Sequence, residues 1–360
     1  MLYAEFNVLY NIIQLNKLYC IKKVIHYIIV WLIILVNSPN ATGRYYPGNL
    51  KEDDNDSVTY FSDYSELLAL RIYTNTKWNS LEIIKDDQNL KLQPNGPTAL
   101  GIGFNYKGYG LALAVGLPKS ASSNEKYGET KRFDLQVNMF GKKIGFDGYV
   151  QMYKGYYNSN PQDFIVWENE NYPQLPEMKI VSFGINAFYI FNSEKFSYRA
   201  AFIRNQIQKK SAGSFTAGIF GHMDIAQTDN GFIPKEFPDS IRTNFDLKSF
   251  NTISIGITVG YLYTWVISEH FFINIGVVPG FGLQTINLET TDGVETTTNE
   301  AAGQLTARGA IGYDSKYFYA GVTAATIWRN FQYKGYDLDL STEQLKIFIG
   351  KRFDLSKKSK

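Results

Sequence analysis

The sequence predicts an all-β protein, a transmembrane antiparallel up-and-down β-barrel, and three observations carry that expectation. The first is residues 251–267. Ile253, Ile255, Ile257, Val259, Tyr261, Tyr263, Trp265 and Ile267 share one parity, while Thr252, Ser254, Gly256, Thr258, Gly260 and Thr264 share the other, with Leu262 the exception. Successive side chains of a strand point to opposite faces, so this strand meets two media. It is also far longer than the roughly 5–6 residues usual for strands of globular proteins. The second observation is composition. Mean hydropathy is −0.22 with 44% hydrophobic residues, too polar for a helical bundle, so membrane embedding has to use alternation. The 26 Tyr and 25 Phe suit aromatic belts at a lipid–water boundary, with a Tyr-rich soluble β-sandwich as the alternative. The third is loop length. Short connections near 108, 142, 193, 269 and 315 alternate with long ones over 86–97, 118–130, 158–177, 227–249, 289–300 and 331–341. Short periplasmic turns and long external loops are the pattern of outer-membrane barrels.

The N-terminus reads as a targeting segment. Lys22 and Lys23 precede an apolar run over 24–36, followed by Asn37-Ser-Pro-Asn-Ala-Thr-Gly43. A basic region, a short apolar core and small residues describe a secretory signal, with cleavage after Ser38 or Ala41. An uncleaved anchor is the alternative. The division expected is a signal peptide over 1–41, a polar lead-in over 42–66 in the periplasm, a barrel over 67–355 and a basic tail over 356–360. Cys20, the only cysteine, precedes the apolar run, so the mature chain has no disulfide or thiolate chemistry.

Alternation continues through the remaining strands. Leu100, Ile102 and Phe104 oppose Gly101, Gly103 and Asn105. Phe133, Leu135, Val137 and Met139 oppose Asp134, Gln136 and Asn138. Phe146, Val150 and Met152 oppose Asp147, Tyr149 and Gln151. Val181, Phe183, Ile185, Ala187 and Tyr189 oppose Ser182, Gly184 and Asn186. Residues 196–202 are expected as a strand with Ser197 and Arg199 on its polar face, and Gln304, Thr306 and Arg308 point inward from 301–313. If the long loops are external and both termini periplasmic, residues 196–227 cross an odd number of times. One crossing gives 12 strands and three give 14. The polar run Gln206-Ile-Gln-Lys-Lys-Ser-Ala-Gly213 cannot face lipid and reads as a bulge or inward excursion, which favours 12.

Five stretches stand out: Phe140-Gly-Lys-Lys143, Tyr153-Lys-Gly-Tyr-Tyr157, Phe196-Ser-Tyr-Arg-Ala-Ala-Phe202, Gln208-Lys-Lys-Ser-Ala-Gly-Ser-Phe215, and Tyr261-Leu-Tyr-Thr264 before Glu269-His-Phe-Phe272. Together they resemble the domain of unknown function family numbered 4421, whose members are predicted outer-membrane proteins of Bacteroidetes-type bacteria. The likeness covers about residues 55–355. Tyr153, Lys154, Lys209, Lys210 and Ser211 carry its most specific pieces. The resemblance implies a barrel and brings no activity or catalytic residues. Family barrels tend to end near an aromatic, whereas here Phe353 is followed by Asp-Leu-Ser-Lys-Lys-Ser-Lys360.

Candidate function rests on inward polar residues: Asp134, Gln136, Asp147, Gln151, Arg199 and Arg308, with Lys154, Arg204, Lys209 and Lys210 as further members. Charges inside a barrel must be paired or wet, so they either select a small solute or close the lumen with salt bridges. Tyr153-Lys-Gly-Tyr-Tyr157 is expected in the upper aromatic girdle, with a ligand-stacking cluster as the alternative. The enzymatic alternative is a lipid acyl hydrolase or acyltransferase centred on His222, with Ser214 and Asp224 nearby in sequence. No nucleophile elbow or phosphate loop is present, and two histidines outside the signal segment, His222 and His270, argue against a metal site. No catalytic residue and no cofactor is therefore assigned. Net charge is +2 without a basic stripe, which excludes nucleic acid as the evident partner. Outer-membrane lipid and the barrel assembly machinery are the partners expected.

Overall fold

The structure is a computed structural model that describes residues 59–355 except Pro97, Gly108 and Lys334. The expected signal segment, the lead-in up to residue 58 and the tail 356–360 lie outside the described residues. Among the described residues no helix is long and apolar enough to cross a membrane, which says nothing about strands.

The chain forms antiparallel strands: β1 (Phe61–Asp63), β2 (Leu68–Lys85), β3 (Gln88–Gln93), β4 (Thr98–Tyr106), β5 (Tyr109–Gly116), β6 (Lys131–Phe140), β7 (Ile144–Asn158), β8 (Gln174–Ile190), β9 (Gln206–Gln208), β10 (Ala212–Gln227), β11 (Leu247–Val266), β12 (Phe271–Thr290), β13 (Glu295–Asp314), β14 (Phe318–Tyr333) and β15 (Tyr336–Phe353). Short helices are α1 (Ala121–Tyr127), α2 (Tyr198–Phe202) and α3 (Asp239–Asn244). Ten strands close a ring in the order β2-β3-β7-β8-β10-β11-β12-β13-β14-β15, sealed by β15 against β2 over Asp337↔Ile84 to Phe353↔Leu68. β4 pairs the lower half of β2, β5 pairs β4, and β6 pairs β7, while β1 and β9 form a separate two-stranded ribbon.

The ring thus differs from the expected count of 12. It closes with ten because β3, assigned above to a long loop, bridges β2 and β7 through Leu92↔Asn158 and Gln93↔Tyr157. The 14-strand alternative fails because residues 196–227 cross the wall once, as β10. The stretches 289–300 and 331–341 are not long loops either; strands continue through them to tight turns.

Residues 196–202 are a correction as well. Ser197 caps α2, its Oγ accepting from the Ala200 amide at 3.0 Å, and the following Arg-Ala-Ala favours helix. The connection from β8 to β10 is therefore a long segment folded into the short-turn end of the barrel. There β9 pairs β1 over Phe61↔Gln208 to Asp63↔Gln206, and the Tyr64 amide donates to the Asn205 carbonyl at 2.8 Å. The inward excursion expected around 206–213 is this plug, and part of the lead-in is strand β1.

The two faces of the wall change character with height. Ile257 is 62% exposed on the outer face and neighbouring Thr258 is 6% exposed on the inner one. Ile253, Ile255, Val259, Ile275, Val277, Phe281, Leu283, Ile347 and Ile349 extend the exposed apolar belt around the ring. Leu262, the exception to the alternation, is buried inward against Ile190, Phe196, Tyr198 and Ala212 of the plug region. Towards the long-loop end the pattern inverts. Leu81, Leu90, Ile180, Phe250, Ile286 and Leu338 fill the interior with Phe232, Ile233 and Phe237 from the connection after β10. An inverted pattern of this kind suits a stretch where water replaces lipid outside, because apolar burial is then favourable inside.

Candidate functional site

Between the apolar cap and the plug the lumen holds buried charge. Arg329 of β14 and Asp224 of β10 have side chains 2% and 0% exposed and pair at 3.0 Å. Arg329 donates through Nη1 to Tyr149 Oη at 2.9 Å and through Nη2 to Thr342 Oγ1 at 3.3 Å. The Tyr149 oxygen lies 3.1 Å from His222 Nδ1, and His222 Nε2 lies 2.6 Å from Gln304 Oε1. A neutral imidazole fits this order: Tyr149 donates to Nδ1 and Nε2–H donates to Gln304. Five strands (β7, β10, β13, β14 and β15) meet in this one network.

Three further clusters surround it. Arg308 of β13 pairs with Asp147 of β7 and contacts the Tyr198 hydroxyl of the plug. Lys77 of β2 reaches Asp134 of β6 at 2.7 Å and Gln136 Oε1 at 3.2 Å, with Gln151 and Tyr153 donating to Asp134 at 3.4 and 3.5 Å. At the short-turn end Arg352 donates to Asp314 at 2.8 Å and to the Arg204 carbonyl, and the Arg204 guanidinium lies 3.7 Å from Asp314. The same Arg204 guanidinium sits 4.1 Å from the Phe272 ring centroid.

Of the residues expected inside, Asp134, Gln136, Asp147, Gln151 and Arg308 are in the lumen, distributed over two clusters. Arg199 belongs to the plug, where Nε donates to Asn205 Oδ1 at 3.2 Å, and not to a wall strand. The motif residues are not brought together. Tyr153 is buried in the lumen, Lys154 is exposed on the outer face, and Lys209, Lys210 and Ser211 are exposed where the plug returns to the wall. Both lysine amides donate to the Tyr60 carbonyl, and Ser211 Oγ accepts from the Val266 amide at 2.9 Å. The most specific motif therefore marks a chain junction.

The girdle expectation for Tyr153 and its neighbours is also corrected. β7 bulges at Gly155, with φ +91° and a register shift between Lys154 and Tyr156. A Cβ at Gly155 would fall 2.1 Å from the Glu129 carbonyl oxygen, so the bulge requires glycine. Tyr153 and Tyr156 both point inward as a result, and Tyr157 meets Tyr127 and Tyr172 beneath the loops.

His222 has no acyl-transfer geometry. Its ring nitrogens face Tyr149 and Gln304, and Asp224 is held by Arg329. Ser214 lies eight residues away on β10, about 26 Å along the strand, where its hydroxyl donates to the Phe215 carbonyl. Among the described residues no group of acids, histidines and cysteines is placed to hold a metal ion. On the exposed turn at the short-turn end, the Lys142 ammonium donates to Glu194 at 2.8 Å and holds that carboxyl below its usual range.

Lys77, Arg329, Arg352 and Asp314 were not singled out from the sequence. Each shares the inward parity of its strand: Lys77 with Ala69 and Tyr73, Arg329 with Tyr319, Arg352 with Phe348, and Asp314 with Gln304 and Thr306. Dividing β2, β14 and β15 into faces was the signal that could have found the three cations.

An outward apolar belt around a ring of antiparallel strands, with paired charge inside, defines a β-barrel of the transmembrane type. The chain belongs to the family described as Domain of unknown function (DUF4421), whose model matches residues 54–353. No match is found among curated proteins. The structure is similar to the outer membrane protease OmpT from Escherichia coli, at 9% identity and TM-score 0.38 over 81% of this chain and 98% of that one. It is also similar to the translocator domain of the autotransporter NalP from Neisseria meningitidis, at 9% identity and TM-score 0.33 over 79% and 88%. A third similar structure is the Pseudomonas putida toluene transporter TodX, at 5% identity and TM-score 0.26 over 82% and 92%.

Proposed function

We propose that the protein is a structural outer-membrane barrel with a closed lumen, exported by its N-terminal signal, with its short turns in the periplasm and its long connections outside. One observation carries this reading: the interior is occupied at three successive heights, by the apolar cap, the paired charges and the plug. Charges that select solutes need water beside them, whereas Arg329 with Asp224 and Arg352 with Asp314 are matched to one another and buried. At mid-depth the wall is read as twelve strands, the nine ring strands other than β3 together with β4, β5 and β6.

The test is conductance of the purified barrel in planar bilayers. The wild type is expected to show no steady ionic current across either polarity. Stepwise conductance whose ion preference changes in Arg308→Gln would replace the closed barrel with a charge-selective channel.

A further inference from the structure

The wall is interrupted at one place. β5 pairs β4 and β6 pairs β7, yet no ladder joins β5 to β6 although they are consecutive in the chain across 117–130. In an up-and-down barrel such neighbours are expected to pair, and an open edge facing lipid leaves backbone N–H and C=O groups without partners. β5 is exposed on both faces. Leu111, Leu113 and Val115 are exposed outward, and Ala112 and Ala114 are exposed towards the interior. Phe133 and Leu135 of β6 are exposed on the other side of the opening.

Behind the opening stand unmatched cations. Lys77 is taken by Asp134. Arg71 of β2 and Lys346 of β15 share that inner surface, and among the described residues neither has a carboxylate at ion-pair distance. Both instead flank the ring of Tyr73, with the Arg71 guanidinium 5.8 Å and the Lys346 ammonium 5.3 Å from its centroid. Lys346 has Arg71 and Lys77 as neighbouring like charges, and the opposite charge that also reaches it, Asp134, is the one Lys77 holds at 2.7 Å. Arg71 leans across β4 towards β5: a Cβ built on Gly103 would lie 2.8 Å from Arg71 Nε and 3.3 Å from the Ala112 Cβ. Two part-buried cations on one ring, without a carboxylate of their own, favour an anion between them. A water-soluble anion entering from either end meets the apolar cap or the plug, so the direct route is from the bilayer.

We propose that the β5–β6 opening binds a membrane amphiphile with one anionic head group. Its carboxylate or phosphate oxygens pair with Arg71 and Lys346 inside the barrel and accept from the free edge amides. Its chain stays outside against Leu111, Leu113, Val115, Phe133 and Leu135. This rests on the membrane placement proposed above.

The test uses the full-length folded barrel in neutral phosphatidylcholine vesicles with two photoreactive probes of equal chain length, a long-chain fatty acid and the corresponding alcohol. The acid is expected to label residues 109–116 and 131–137 in preference to the rest of the belt, and lysophosphatidic acid is expected to compete if phosphate is the better head. Arg71→Gln with Lys346→Gln is expected to lower seam labelling by the acid about tenfold, with the alcohol unaffected. Heat-modifiable mobility checks that the variant is folded, and the labelling map of the wild type stands without it. An acid map as even as that of the alcohol, equal acid labelling of the folded double variant, or a dimer that shields the seam would overturn the site. Absence of alcohol labelling at Ile257 and Phe281 would overturn the membrane placement itself, and the site with it.

Discussion

Replacing Asp314 by Ala is expected to lower the unfolding free energy of the barrel by about 3–5 kcal/mol, the cost of leaving a buried charge without its partner. Asp314 is the counter-charge between Arg204 of the plug and Arg352 of β15, and all three side chains are 3% exposed or less. Removing it leaves two guanidiniums facing one another, held by carbonyl oxygens and by the Phe272, Phe348, Tyr319 and Tyr64 rings. Urea titration of the purified protein, read by heat-modifiable mobility, measures the loss. Adding Arg204→Met to Asp314→Ala is expected to restore part of it, because one unpaired charge goes. A single variant within about 1 kcal/mol of wild type would mean that water reaches this cluster and the plug does not seal the end.

The second large effect lies in the central network. Asp224→Ala leaves Arg329 with Tyr149 and Thr342 as its remaining partners, and the expected loss is again about 3–5 kcal/mol. The double variant Asp224→Leu, Arg329→Met is expected to be more stable than either single one, since an apolar pair avoids the desolvation of both ions. The double-mutant cycle isolates the coupling. Additive losses in the cycle would show that the two residues do not act as a pair, and that β10 and β14 are not joined through them.

Much of the wall was legible because alternation is local. In β11 the outward set from Ile253 to Trp265 and the inward Thr252, Ser254, Thr258 and Thr264 follow from parity alone. The apolar cap was not legible. Leu338 and Leu340 lie on the same inward face as Lys346 and Arg352, so that face is apolar at one end of β15 and charged at the other. Parity tells which residues share a face, and only depth tells what medium lies opposite. Pairing was hidden for a different reason. Asp147 and Arg308 could both be read as inward, yet they are 161 residues apart and meet only when the ring closes. The plug is hidden at Arg199 because Phe196-Ser-Tyr-Arg-Ala-Ala-Phe202 can be laid out by period two, while the Ser197 cap decides for helix.

The outward belt is the feature on which membrane residence depends, and a pair of arginine substitutions tests it most directly. Ile257 lies within the belt and Asn287 on the outer face of β12 towards the long-loop end, both exposed to whatever surrounds the barrel. In water the two changes should be nearly equivalent. In a bilayer an arginine near the midplane costs about 2–4 kcal/mol and one near the interface about 0–1. The measurement is the unfolding free energy of Ile257→Arg and Asn287→Arg in lipid vesicles. A lipid-facing belt predicts that Ile257→Arg is the less stable by about 2 kcal/mol or more, with Asn287→Arg close to wild type. Equal stabilities would contradict it and return the chain to the soluble β proteins.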